Sequence, residues 1–284
     1  VKRSTNRPLA AGRARLPPAA SADAPHPGFS LSMRRQSATL GVAELHDWLA
    51  RGLVAQTAGL ESLGGRPAGW RELSDALALG GTAWPRAAAE PLRDLYRRAY
   101  SPAQRAREAL ELWRDAVLVM AAARELAAIG GGSPATAGLA ALVLRTADAV
   151  ALGAVADVEL RLAHRLDSGS LQALQASLAE PARAALLRQW RPSPAVAAAL
   201  RDSRQAPERR GVSVEARALH FAEVLAGSLR TGFESPGLEA EIAAALQLRS
   251  GQLAGLRRSV AAIKPAAEQV LADLLSLGAV TAAG

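Results

Sequence analysis

Residues 102–132 read PAQRAREALELWRDAVLVMAAARELAAIGGG, and this stretch decides the fold class. It opens on Ser101-Pro102. A serine hydroxyl can cap the free N–H groups of a first helical turn, and proline at the first helical position gives up no hydrogen bond. The run to Ile129 is dominated by Ala, Leu, Arg and Glu, which favour helix strongly. Gly130-Gly131-Gly132 then provides a flexible stop. The segment therefore predicts one long helix over Pro102 to Ile129.

The same punctuation recurs on both sides. Ser133-Pro134, Ser193-Pro194 and Ser235-Pro236 repeat the cap, and Trp84-Pro85 and Glu180-Pro181 read as similar helix starts. Together with Ser101-Pro102 these six points divide the chain into successive helices. Upstream, Leu45, Trp48, Leu49, Leu53 and Gln56 start a first helix, and Trp70, Leu73, Leu77 and Leu79 lead to the stop at Gly80-Gly81. Downstream, Val214, Ala218, Phe221, Leu225 and Leu229 form one amphipathic stripe, with Ser213 as cap and Glu215 in the first turn. No run alternates with period two between turn signals, so no sheet is predicted. No segment recurs at a fixed spacing, which disfavours a solenoid.

Composition agrees. Half of the 284 residues are apolar, but only 4% are aromatic, a mixture suited to thin, closely packed helices. There is no cysteine, which excludes disulfides, thiolate zinc sites and cysteine nucleophiles within these residues. The net charge of +8 is uneven: residues 1–40 carry seven Lys or Arg and one Asp, so the remainder is nearly neutral. Residues 1–40 contain Pro8, Pro17, Pro18, Pro25 and Pro27 and no apolar period. They read as a disordered basic tail, without the apolar run of a secretory signal. Residues 41–284 read as a single helical domain, with a subdivision near residue 100 left open. The most apolar stretch, Ala135 to Val158, is interrupted by Arg145, Asp148 and Asp157 and is read as a core helix rather than a membrane span. The expected location is cytoplasmic.

Chemistry-bearing patterns are sparse. Of the four histidines, His26 lies in the tail, and His46-Asp47 reads as helix surface because adjacent helical residues point about 100° apart. His164 is read as surface too, and His220 is spaced for a local hydrogen bond to Glu223. There is no phosphate-binding glycine loop with its lysine, no Gly-x-Ser-x-Gly and no His-Glu-x-x-His. Carboxylates fall opposite arginines at helical spacing, as Glu111 does with Arg114. Trp113 and Trp190 are expected to be packing residues.

The order of the helices resembles the HDOD family, the helical HD-related output domains of bacterial signalling proteins. Leu112-Trp113-Arg114-Asp115-Ala116-Val117 is similar to one helix of that family, and Gly138 to Leu144 to the next. Ala185 to Leu200, with its Leu-Leu-x-x-Trp, resembles the helix–turn–helix that follows. Ala216 to Ala226 resembles a later helix, beyond a linker over 204–211. The resemblance covers about residues 105–276. It implies an all-α, multi-helix HD-like bundle. Where a catalytic HD protein would carry metal ligands, this chain has Asp115, Leu144-Arg145 and Ser203-Arg204, which cannot supply a metal-activated water. The resemblance therefore implies a non-catalytic regulatory or protein-interaction domain with a protein partner. No catalytic, cofactor-binding or metal-binding residue is assigned, and no cofactor is expected.

Two other readings stand beside it. A DNA-binding regulator would use a helix-turn-helix drawn from Gln252 to Arg258 and from Lys264 to Leu277, with a strand starting at Gly278-Ala279-Val280. Arg249, Arg257, Arg258 and Lys264 would contact phosphates. The other is a helical enzyme whose polar groups are too scattered in sequence to recognise.

Overall fold

The computed structural model describes residues 48–56, 70–81, 83–100, 105–163, 165–205, 207, 209–232 and 237–281, with side chains to residue 273. The 1–40 tail, His26, His46-Asp47 and His164 lie outside the described residues. The helices are α1 (48–56), α2 (Trp70–Ala78), α3 (Ala83–Ala99), α4 (Ala106–Ile129), α5 (Pro134–Leu162), α6 (Ser168–Trp190), α7 (Pro194–Asp202), α8 (Val214–Thr231), α9 (Leu238–Ala245) and α10 (Leu253–Thr281), with a 3-10 turn over Ser250–Gln252. Among the described residues there is no strand, and the fold is an all-α bundle.

Three of the capping serines act as their sequence positions suggest, while Ser101-Pro102 and Ser235-Pro236 lie outside the described residues. Ser133 Oγ accepts from the Thr136 amide, Ser193 Oγ from that of Val196, and Ser213 Oγ from that of Ala216. Glu180-Pro181 does not. Pro181 sits inside α6 with Leu178, Ala182 and Leu186 buried around it. Pro265 likewise lies within α10, between buried Ile263 and Ala267. In each case apolar contacts on both sides of the proline outweigh one forfeited backbone hydrogen bond, since most helical stability comes from tertiary packing. The helix-turn-helix drawn over 252–277 is therefore replaced by one continuous helix, which runs on through 278–280 where a strand start was expected.

Helix α5 is the axis of the bundle. Its residues are mostly Ala, Leu, Val and Gly with no continuous polar face, and 20 of its 29 are buried. Such a helix must be covered on all sides, and α2, α4, α6, α7 and α8 cover it. By length and composition α5 could also cross a membrane; here Arg145, Asp157 and Glu159 are partnered by neighbouring elements. Asp157 accepts from Gln56 Nε2 on α1 at 2.8 Å. Gly153 allows that approach, since a Cβ there would lie 3.0 Å from Gln56 Oε1.

Glycine at the α4–α5 turn serves closeness more than flexibility. Gly131 takes φ +77°, and the Gly132 amide donates to Ala127 O at 2.8 Å. A Cβ on Gly132 would fall 2.9 Å from both Glu215 Oε1 and Val214 Cγ1. The turn thus receives the first residues of α8, and Glu215 accepts from the Ser133 amide at 2.7 Å.

Two buried arginines tie the connections to the core. Arg124 donates from Nε to Leu77 O at 3.0 Å and also reaches Leu79 O, satisfying carbonyls at the C-terminus of α2. Its guanidinium lies 5.1 Å from the Trp84 ring. Arg105, just before α4, forks onto Glu159 near the end of α5: Nε donates to Oε2 at 2.8 Å and a terminal nitrogen to Oε1. Both residues are buried. Arg105 also donates to Glu108 and Leu166 O, while the Leu166 amide donates to Glu159 at 2.6 Å.

Burial pushes the Glu159 carboxyl up, but hydrogen bonds from Arg105 and Leu166 outweigh it and hold it below the ordinary glutamate range. A depressed carboxylate stabilises the fold above its unfolded value and loses that contribution as pH falls through the folded one. Denaturant titrations from pH 6.5 to 2.5 are therefore expected to show stability falling below the ordinary value of about 4.3. Glu159→Gln should flatten that part of the profile; an unchanged profile would assign the acid sensitivity to other groups.

Candidate functional site

Two positions singled out in the sequence, Asp115 and Arg145, come together where α4, α5 and α8 meet. Arg145, one turn past the middle of the apolar run Gly138 to Leu144, points its guanidinium among three carboxylates. Nε lies 3.4 Å from Asp115 Oδ2 on α4, one terminal nitrogen 3.2 Å from Asp148 Oδ2 on α5, and the other 3.1 Å from Glu223 Oε1 on α8. Arg230 adds a second contact to Asp115, at 3.4 Å. Arg145 retains 20% exposure and Asp115 13%, but Glu223 keeps 41%, so the cluster is half-buried and opens to water on its α8 side.

Burial opposes the charge on Arg145, but Asp115, Asp148 and Glu223 more than offset it and raise its pKa. For Asp148 burial wins, and its carboxyl sits above the usual aspartate range despite Arg145. The cluster continues into α6. Arg183 and Arg204 both reach Glu180, the former at 3.0 Å. Cations and anions thus alternate across α4, α5, α6, α8 and the segment after α7.

Two of the three aligned positions, Asp115 and Arg145, are brought into contact. The third is not: Ser203 is buried and donates to Leu200 O at 3.0 Å, and Arg204 turns to Glu180. What stands at the centre of the carboxylates is a guanidinium. It donates a hydrogen bond to Asp148 and lies within ion-pair distance of Asp115 and Glu223, so a fixed positive charge stands where a bound cation would meet these oxygens. Among the described residues no three His, Asp or Glu side chains are grouped to share a metal ion.

His220 departs from its expected partner. Its Nδ1 is 3.2 Å from Ser203 O and its ring stands edge-on to Phe221, while Glu223 goes to Arg145. Glu111 and Arg114 do pair, at 3.0 Å. Trp113 and Trp190 are buried packing residues: Trp113 meets Tyr96 and Tyr100 at 5.4 and 4.9 Å, and Trp190 meets Trp70 at 5.4 Å.

A second feature borders the first. Helices α8 and α10 both pack on α4 but scarcely touch each other. The seam between them opens into a cavity of about 740 Å³ over Trp113, Leu118 and Leu271 and another of about 890 Å³ over Leu225, Leu256 and Val260. Leu229 and Lys264 line both, so the two form one trough.

No family model matches the chain, and no curated protein or solved structure matches it.

Proposed function

We propose that this chain is a non-catalytic regulatory domain of bacterial signal transduction, acting in the cytoplasm by presenting helix faces to a protein partner. The observation that carries the reading is the Arg145 guanidinium seated among Asp115, Asp148 and Glu223. Of these, Asp115 and Arg145 stand at positions where, on the HDOD resemblance, a hydrolytic relative would hold its ion. A fixed cation there neutralises the carboxylates and leaves no open coordination position for a water nucleophile. The same ion-pair cluster links three core helices, so a partner that shifts one helix changes contacts on the others. That is the kind of packed element through which a binding event is transmitted.

The test is metal analysis after incubation with Mg²⁺, Mn²⁺ or Zn²⁺, combined with a screen for hydrolysis of nucleotides and cyclic dinucleotides. Neither stoichiometric metal nor turnover is expected. A retained equivalent of metal together with turnover that Asp115→Asn abolishes would overturn the proposal.

A further inference from the structure

We infer that the trough between α8 and α10 is the seat of a partner's amphipathic helix carrying acidic side chains. This rests on the interaction-domain reading and names its partner's chemistry.

The first argument is geometric. Helix α4 floors the cavity at the α3 end and α9 borders the other, while α8 and α10 are walls that flank both without closing on each other. Among the described residues no helix fills the seam between those walls. Leu110, Leu118, Leu229, Val260 and Leu271 line this seam and are each only partly covered. Apolar side chains left half-covered along one seam are what an incoming helix buries with its residues at i, i+3, i+4 and i+7. The lining of α10 runs from Leu253 to Leu271, about 27 Å at 1.5 Å per residue. That length fits about five turns of helix and exceeds the reach of a compact small ligand.

The second argument is charge. Around the cavity at the α3 end stand Arg93, Arg97, Arg114, Arg230 and Lys264, against Glu111, Asp115 and Glu268. Glu111 is taken by Arg114, and Asp115 by Arg145 and Arg230. Arg97 and Lys264 are exposed and have no ion-pair partner among the described residues. Arg93 pairs with Glu90 at 3.5 Å through a terminal nitrogen, although its buried Nε has no hydrogen-bond partner among the described residues. With Glu268 the exposed anion on the same rim, Arg97 and Lys264 leave an excess of positive charge, which an acidic helix complements and a basic one does not.

The test uses the full chain and three fluorescein-labelled 18-residue peptides with one leucine stripe, flanked by Glu, Gln or Lys. Fluorescence anisotropy at low salt should show saturable binding of the Glu peptide, at least tenfold tighter than the Lys peptide, and weakening as salt rises. Arg97→Glu with Lys264→Glu should reverse that order. Both positions are exposed, and circular dichroism confirms that the variant is folded. Leu229→Asp should reduce binding of all three peptides. Equal affinity for the Glu and Lys peptides, no saturable binding, or self-association that Leu229→Asp abolishes would overturn the inference. The metal and turnover assays report on the Arg145 cluster alone, so either idea can fail without the other.

Discussion

Replacing Arg105 with Met is expected to lower stability by roughly 3–5 kcal/mol, the usual cost of removing one member of a buried ion pair. Both Arg105 and Glu159 are almost fully withdrawn from water, at 3% and 5% exposure. Methionine would leave a buried carboxylate whose remaining protein donor is the Leu166 amide. At roughly 2–4 °C per kcal/mol for a chain of this size, Tm should fall by about 6–20 °C in calorimetry. The damage comes from the uncompensated charge and not from the lost length of side chain. Arg105→Met combined with Glu159→Met should therefore recover most of the loss, because a well-packed apolar pair often equals a buried ionic one. A double variant no more stable than the single one would show that the fork is not the source of the effect.

Arg145→Met is expected to cost about 2–4 kcal/mol, somewhat less because water reaches that cluster more easily. Asp115 would keep Arg230, but Asp148 and Glu223 would lose their direct ion-pair contact. The sign of the pH response is diagnostic. Burial already holds the Asp148 carboxyl above its ordinary value, and losing Arg145 pushes it further up, so the native state binds that proton more tightly. The variant then gains relative stability as pH falls toward the folded-state value of Asp148. Denaturant titrations at pH 7.5 and 5 should show the gap to the unaltered protein narrowing at the lower pH, and Asp148→Asn added to Arg145→Met should recover part of the loss at pH 7.5. A gap that is independent of pH would mean that Arg145 acts through packing of its stem rather than its charge.

Local chemistry made the helices readable. Three Ser-Pro or Ser-Val starts bear the cap hydrogen bonds that their composition implies, because a cap is decided within four residues. Proline was a poorer guide where packing competes: Pro181 and Pro265 punctuate the sequence yet lie inside helices whose flanking residues are buried. The cluster around Arg145 was half visible. Charges that interrupt an apolar run need partners, and Arg145, Asp148 and Asp157 were conspicuous for that reason. Which partners they take was not legible, since Glu223 and Gln56 reach α5 from distant parts of the chain and only the assembled bundle brings them there. Glu159 gave the weakest signal, at the polar end of α5 and 54 residues from Arg105. His220 shows the converse: its spacing suited Glu223, but a stronger long-range claim on that carboxylate redirected it.

The glycine turn between α4 and α5 has a consequence for the newborn chain. The Ser133 amide waits for a carboxylate 82 residues further on, and Val214 fills the space beside the turn from the same distance. At roughly 5–20 residues per second of synthesis, that delay lasts about 4–16 s. For that interval the two longest segments made so far meet at a corner whose cover has not yet left the ribosome. The central hairpin is thus locked by late arrivals, and truncation before α8 removes the latch as well as the helix.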